Sequence, residues 1–286
     1  MVNESPDVPP GRRPGRGIRP TGRGRLVLLI GAVVVLAVAA AVLVPLLTRE
    51  PKTEQTRTLV IPEGWRASQV YAAADKSLGE PAGTTEKAVA TADLPLPAEA
   101  KGNPEGYLFP ATYPITSGTT PKSLLRYMVD TALSRFGADH ITAGAQRNNV
   151  TVYQTVIIAS IVQAEADTPS DMGKVARVVH NRLDRDMPLQ MDSTLNYALN
   201  RSTLDTTTGD TKIDSPYNSY ERKGLPPTPI GNPGEQAMVA AISPTPGPWL
   251  YFVTVAAGDT RFTDDYAEQQ RNVTEFNRNR RTAGSG

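Results

Sequence analysis

The sequence has no cysteine and only two histidines, His140 and His180. Without cysteine there can be no disulfide, no thiolate zinc site and no thiol nucleophile. His140 lies in a polar stretch and reads as solvated, whereas His180, after Val178 and Val179 on a helix, reads as a packed or surface residue and not as a ligand. The two do not form the HExxH pair of a helical zinc site, and no Gly-x-Ser-x-Gly elbow offers a serine for either to activate. Phosphate-cradling and dinucleotide-binding glycine motifs are also missing, so no cofactor is expected. The formal net charge is +1, and the arginines responsible are concentrated before residue 26, which leaves the remainder slightly acidic. Such a balance excludes a nucleic-acid binder. What remains for chemistry is carboxylates, hydroxyls and amides.

One long apolar run is present. Leu26 to Leu47 contains no charged side chain. As a helix it would extend ~33 Å, enough for a hydrocarbon core of about 30 Å. Arg12, Arg13, Arg16, Arg19, Arg23 and Arg25 precede it against Glu4 and Asp7, while its far flank carries mixed charges. By the positive-inside rule residues 1–25 are an arginine-rich, disordered cytoplasmic tail, residues 26–47 one transmembrane helix, and the rest is extracytoplasmic. The run is too long for the apolar region of a cleaved signal peptide, so an uncleaved single-pass anchor in the plasma membrane is expected.

Beyond a polar linker the chain reads as α+β. Leu59 to Ile61, closed by Pro-Glu-Gly, signals a strand. Helical composition follows over 67–78 and 85–92, and Glu105 to Tyr113 (EGYLFPATY) reads as extended. Residues 57–116 thus form a small α+β module. Helices are expected over 122–136, 151–167, 172–185, from Asp192 or Ser193 onward, and over 235–242. A strand is expected over 250–255 and a polar helix over 264–278. The segment 201–235 is irregular but holds Tyr217, Asn218 and Tyr220 close together, which favours an ordered functional loop.

IIASIVQAEAD, from Ile157 to Asp167, carries the main chemical signal. On a helix Ile158, Ile161, Val162 and Glu165 share one side. Burial against those aliphatics would raise the Glu165 carboxyl and keep a general acid protonated near neutral pH. The plain structural reading is a glutamate that turns outward or pairs with arginine at a helix end. Gln163 and Asp167 look like ordinary helix surface. Asp192 is the nearest partner acid by sequence, or else a helix N-cap. Tyr217, Asn218 and Tyr220 suit a sugar, or else staple a loop.

Taken in order, EGYLFPATY, ASIVQAEA, VARVVHNRLDRDMPLQMDSTLNYAL, SPYNSYERKGLPPTPIGNPG, AAISPTPGPWLYFV and RFTDDYAEQQRNV closely resemble the YceG-like, or MltG-type, endolytic murein transglycosylases over about residues 57–276. The alanine- and arginine-rich style looks actinobacterial. The resemblance implies a membrane-anchored enzyme that cuts nascent peptidoglycan strands between N-acetylmuramic acid and N-acetylglucosamine, leaving 1,6-anhydromuramyl ends and ending strand elongation. It implies a LysM-like subdomain at 57–116, a mixed α/β catalytic domain at 117–280, and peptidoglycan synthases as partners. It assigns the catalytic role to Glu165, and places Gln190, Asp192, Tyr217, Asn218 and Tyr220 in the substrate groove. Because the sugar's own 6-hydroxyl is the nucleophile in such a reaction, no second enzymatic acid is required.

This chain departs from the family pattern in three places. Gln163 stands where members usually carry the first of two acids. Thr260-Arg261 and Glu268-Gln269-Gln270 stand where members often carry histidines. Two alternatives belong to other classes: a non-catalytic glycan-binding scaffold for cell-wall synthases, and a hydrolase releasing reducing ends.

Overall fold

The computed structural model describes residues 31, 33–41, 44, 57–201 and 206–283. The chain divides into two compact units, Met1–Glu54 and Gln55–Gly286. In the first, every described residue is helical and exposed. Much of the expected span 26–47 lies outside the described residues, and among those described no helix is long and apolar enough to cross a membrane.

The second unit is α+β. It runs β1 (Arg57–Val60), α1 (Ala67–Leu78), α2 (Thr84–Val89), β2 (Thr112–Ile115), α3 (Pro121–Phe136), α4 (Asp139–Arg147), α5 (Val152–Glu165), α6 (Pro169–Asp184), α7 (Asp192–Ala198), α8 (Glu235–Ile242), β3 (Tyr251–Ala256), β4 (Asp259–Thr263) and α9 (Tyr266–Ala283). β1 and β2 pair antiparallel, with Arg57 opposite Ile115, and β3 and β4 form a hairpin with Phe252 opposite Phe262.

The centre is α5. Residues Val156 to Val162 are all buried, so the helix is enclosed on nearly every side. Glu165 therefore ends a central helix, and is not one member of an apolar stripe. α4, α6, α7 and α8 all pack against α5. Burying Ile157, Ile158 and Ile161 contributes roughly 1.5–3 kcal/mol each relative to exposure. Thr151 starts α5 with a capping box: its hydroxyl accepts from Gln154 N at 3.1 Å, and Gln154 Oε1 accepts from Thr151 N at 2.9 Å. The helix stops where Ala166 turns extended (φ −142°, ψ 135°). Just beyond, Thr168 caps α6 and precedes Pro169, a position that disfavours helix.

Several local expectations needed correction. His140 is exposed, but it sits on α4, a helix hidden in sequence by Gly144 and polar neighbours. Gly144 is there because α8 crosses at that point: a Cβ on it would lie 2.5 Å from Ile242 Cβ. The stretch 105–113 is mostly turn, with only its end in β2. β4 was hidden by its polar composition. His180 is packed, its Nε2 2.9 Å from Ala241 O.

Residues 57–116 show the strand–helix–helix–strand order anticipated, yet their core is continuous with the rest. Leu59, Ile61, Val70 and Tyr113 belong to the same buried cluster as Ile158 and Met238. Asn232 bolts the two parts together. Its Nδ2 donates to Trp65 O and its Oδ1 accepts from Leu108 N, each at 2.8 Å. Its backbone also exchanges bonds with Trp65 and Gly64. At Gly106 the backbone has φ +86°, and a Cβ would lie 2.5 Å from Pro229 Cγ. Only glycine satisfies both demands.

Candidate active site

The site is assembled where the C-terminal end of α5 meets the N-terminal end of α7. The first-turn N–H groups of a helix have no partner within it. In α7 the Ser193 N–H donates to Glu165 Oε1 at 3.2 Å. Glu165 itself is half-buried. Burial raises its carboxyl above the ordinary value, hydrogen bonding from Ser193 opposes that, and the negative charge of Asp192 adds to the rise. The buried Ser193 hydroxyl has no aligned partner, but it lies near enough to favour the ionised form. No arginine pairs with Glu165 among the described residues.

Asp192 is not an N-cap. Met191 occupies the cap position without a side-chain bond, and Asp192 is the first helical residue. Its Oδ1 accepts instead from Tyr220 Oη at 2.5 Å. Burial first, and then this bond to Asp192, push the Tyr220 hydroxyl well above its ordinary value, so it remains a donor. Glu165, Asp192 and Tyr220 are thus gathered in one place.

What holds Asp192 there is the turn before it. Arg182, buried on α6, donates from Nε to Leu250 O at 2.7 Å and from Nη1 to Pro188 O, Leu189 O and Gln190 Oε1, each at 2.9 Å. This fixes Gln190 in a left-handed conformation (φ +53°) with its N–H on Ser219 O at 2.9 Å. Ser219 Oγ then accepts from Met191 N at 2.9 Å and lies 2.8 Å from Thr194 Oγ1. The exposed Gln190 is therefore joined to the loop that carries Tyr220.

Tyr217 and Asn218 face other partners. Tyr217 Oη lies 2.8 Å from Thr228 Oγ1, and its ring lies 4.9 Å from that of Tyr197. Asn218 is buried, donates its amide to Thr211 O and Ile213 O, and accepts from Tyr220 N at 3.0 Å. It shapes the loop that aims Tyr220. Farther along, Ile230 N donates to Ser160 Oγ at 3.0 Å and ties the same loop to α5.

Gln163 is not plain helix surface. Its Oε1 accepts from Gly234 N, the residue preceding α8, at 3.0 Å. A carboxylate oxygen could accept that bond equally well, so either residue type can fill the position. Arg261 binds Asp259 and Glu275 within the β3–β4 and α9 region, at 3.0 and 2.8 Å, and stands apart from Glu165's partners.

Sequence reasoning passed over Ser193, Arg182 and Glu105. Ser193 was visible only as a helix-start residue, and Arg182 as one cation on an amphipathic helix. Glu105 is buried and accepts from Ala67 N at 2.9 Å and Tyr197 Oη at 3.1 Å. Burial raises its carboxyl to about 7, against those bonds and the nearby Arg66 charge. An acid inside the aromatic EGYLFPATY stretch was the available sign.

The site thus joins a half-buried acid to a loop rich in tyrosine and amide groups. Comparison with known proteins gives the family. The YceG-like family pattern matches residues 37–275, and the chain belongs to that family. The crystal structure of a yceG-like protein from Listeria monocytogenes superposes with a TM-score of 0.64 at 28% identity, covering 76% of this chain and 75% of that one. A Bacillus subtilis protein named endolytic murein transglycosylase is 36% identical over 168 residues, 58% of this chain and 46% of its own length. A Streptococcus pneumoniae protein of the same name is 34% identical over 255 residues, 80% of this chain and 46% of its own. The chain therefore spans about half the length of the curated relatives it matches.

Proposed function

We propose that this protein is a membrane-anchored lytic transglycosylase that cleaves nascent peptidoglycan strands between N-acetylmuramic acid and N-acetylglucosamine. One observation carries the reading: Glu165 ends a buried helix beside Asp192, burial and that neighbouring charge raise its carboxyl above the ordinary value, and among the described residues only Ser193 donates to it. The names of the bacterial relatives point to the same substrate.

In the first step the Glu165 carboxylic acid gives its proton to the glycosidic oxygen, and the bond from that oxygen to the muramyl anomeric carbon breaks. The charge of Asp192, fixed by Tyr220, opposes the positive charge developing at that carbon. The muramyl 6-hydroxyl then attacks the same carbon and passes its proton to the Glu165 carboxylate. The acid is restored, no water is consumed, and the product is a 1,6-anhydro end. The Ser193 hydroxyl is poised to stabilise Glu165 during the ionised interval. Gln190 and Tyr217 contact the sugars, and Asn218 acts through the loop.

The anchor is part of the same proposal. Val33 and Leu36 lie on helical residues with 64% and 69% of their surface exposed, which suits lipid as their surroundings. The arginines before residue 26 support a catalytic unit outside the plasma membrane, where strands are made and where synthases would be its partners. The order of β1, α1, α2 and β2 supports a LysM-like role for residues 57–116 in holding glycan.

The test is digestion of uncrosslinked glycan by the full chain and by Glu165→Gln, with products weighed by mass spectrometry. Anhydromuramyl ends from the wild type alone are expected. Reducing ends would make the protein a hydrolase. Intact glycan that stays bound would make it a scaffold.

A further inference from the structure

The hairpin β3–β4 and the start of α9 carry aromatic surface that the cleavage step does not use. Tyr266 is 61% exposed, and its ring lies 5.7 Å from that of the half-buried Tyr251. Arg182 Cζ lies 5.2 Å from the Tyr251 ring centre, and Arg182 Nη1 binds Gln190 Oε1 at 2.9 Å. A contiguous line of contacts thus runs from Tyr266 through Tyr251 and Arg182 to Gln190, two residues before Asp192. Singly exposed tyrosines are ordinary on protein surfaces. A tyrosine pair joined to the rim of a site through a buried cation is a different feature.

The backbone that carries the pair is tied down at several points. Asp265 Oδ1 accepts from Ala267 N at 2.7 Å and from Glu268 N at 3.2 Å, capping α9 directly beside Tyr266. Thr263 Oγ1 donates to Glu268 Oε2 at 2.6 Å, and Gln269 Nε2 donates to Phe252 O at 3.1 Å. Leu250 N donates to Thr263 O at 2.9 Å, fixing the strand that carries Tyr251.

We infer that Tyr251 and Tyr266 form a distal saccharide subsite, a stacking platform for a pyranose of the same glycan strand lying beyond the units at Glu165. The inference rests on the proposed glycan-cleaving function. A pyranose presents a face of C–H groups bordered by hydroxyls, and a tyrosine presents an apolar ring with a polar end. An acceptor-rich or anionic ligand would require free cationic donors, whereas the cation here is buried beneath Tyr251 with its contacts on main-chain and amide oxygens. A subsite removed from the scissile bond favours long strands and interior cuts, because only a strand extending past Gln190 can reach it.

The experiment measures kcat/KM of the full chain on uncrosslinked glycan fractions of increasing length, with binding of each fraction read in parallel. Tyr251→Ala and Tyr266→Ala should each lose on the order of tenfold on long strands, mainly through KM, and clearly less on the shortest cleavable ones. Tyr266→Phe, which keeps the ring, should recover most of the length preference. Tyr127→Ala, removing a tyrosine 51% exposed on α3, serves as the control and should leave that preference intact. Equal losses at every length, or no loss in the alanine variants, would overturn the subsite while leaving the cleavage reading standing. If the wild type binds strands without cutting them, the enzymatic reading falls and the length dependence of binding decides the subsite. A wild type that neither binds nor cuts ends both.

Discussion

Glu105 and Glu165 are both acids pressed into apolar surroundings, and burial raises both, yet they are built for opposite ends. Both oxygens of Glu105 are engaged: Oε1 by Ala67 N and, at 3.5 Å, by Asn232, and Oε2 by Tyr197. Glu165 receives one backbone donor, at 3.2 Å. Glu105 closes a junction within the fold, and Glu165 keeps carboxylate surface for a ligand. A raised carboxyl is therefore no sufficient mark of a catalytic acid. The number of uncommitted oxygens separates the two.

The sharpest way to break this contrast is to replace each acid by its amide. Glu165→Gln should lower the rate of anhydro-end formation by about 10²–10⁴-fold or more while the melting temperature changes little. Glu105→Gln should cleave within a few-fold of wild type, so a loss as deep as that of Glu165→Gln would erase the distinction.

Next in size is the support of Glu165. Tyr220→Phe removes a donor to a charged acceptor and should reduce kcat by roughly tenfold. Asp192→Asn removes the charge that helps hold the Glu165 proton. Glu165 would then ionise at lower pH, and the alkaline limb of the kcat/KM profile should move down the pH scale. An unmoved limb would detach Asp192 from the acid.

The third difference concerns stability. The Glu105 carboxyl ionises at about 7 in the folded protein against an ordinary 4.5, so the folded state holds this proton more tightly than the unfolded state. This group's contribution to stability is complete below about 4.5, declines as pH rises, and levels off above about 7. Relative to wild type, Glu105→Gln should gain up to about 3 kcal/mol between pH 4 and pH 8, read from denaturant melts at each pH. A parallel pair of curves would contradict the burial assigned to Glu105. The smallest effect is expected from Gln163→Glu, because a carboxylate oxygen can still accept from Gly234 N. Activity should stay within about twofold and stability within ~0.5 kcal/mol.

The order of elements was readable wherever periodicity or turn chemistry was local. α5 announced itself by its aliphatics, and the strand at 250–255 by its run of aromatic and β-branched residues. Glu165 was legible because a carboxylate among isoleucines conflicts with its neighbours. α4 and β4 were not, since Gly144 and the polar face of Asp259–Thr263 make sense only against Ile242 and α9. Asn218 and Tyr220 look equivalent in sequence, and only the folded loop assigns one to its own carbonyls and the other to Asp192. Glu105, Ser193 and Arg182 have partners 28 to 127 residues away or on main-chain oxygens, which no local pattern encodes.

The bolting of Asn232 to Trp65 and Leu108 bears on how the chain can be cut and recombined. A boundary drawn near residue 117 would cut through one buried cluster and leave members on both sides. Protease nicks there should not release two folded pieces, and grafting residues 57–116 from a relative should fail unless the 229–234 turn is carried with them. Genetically, the two stretches should behave as one inherited block.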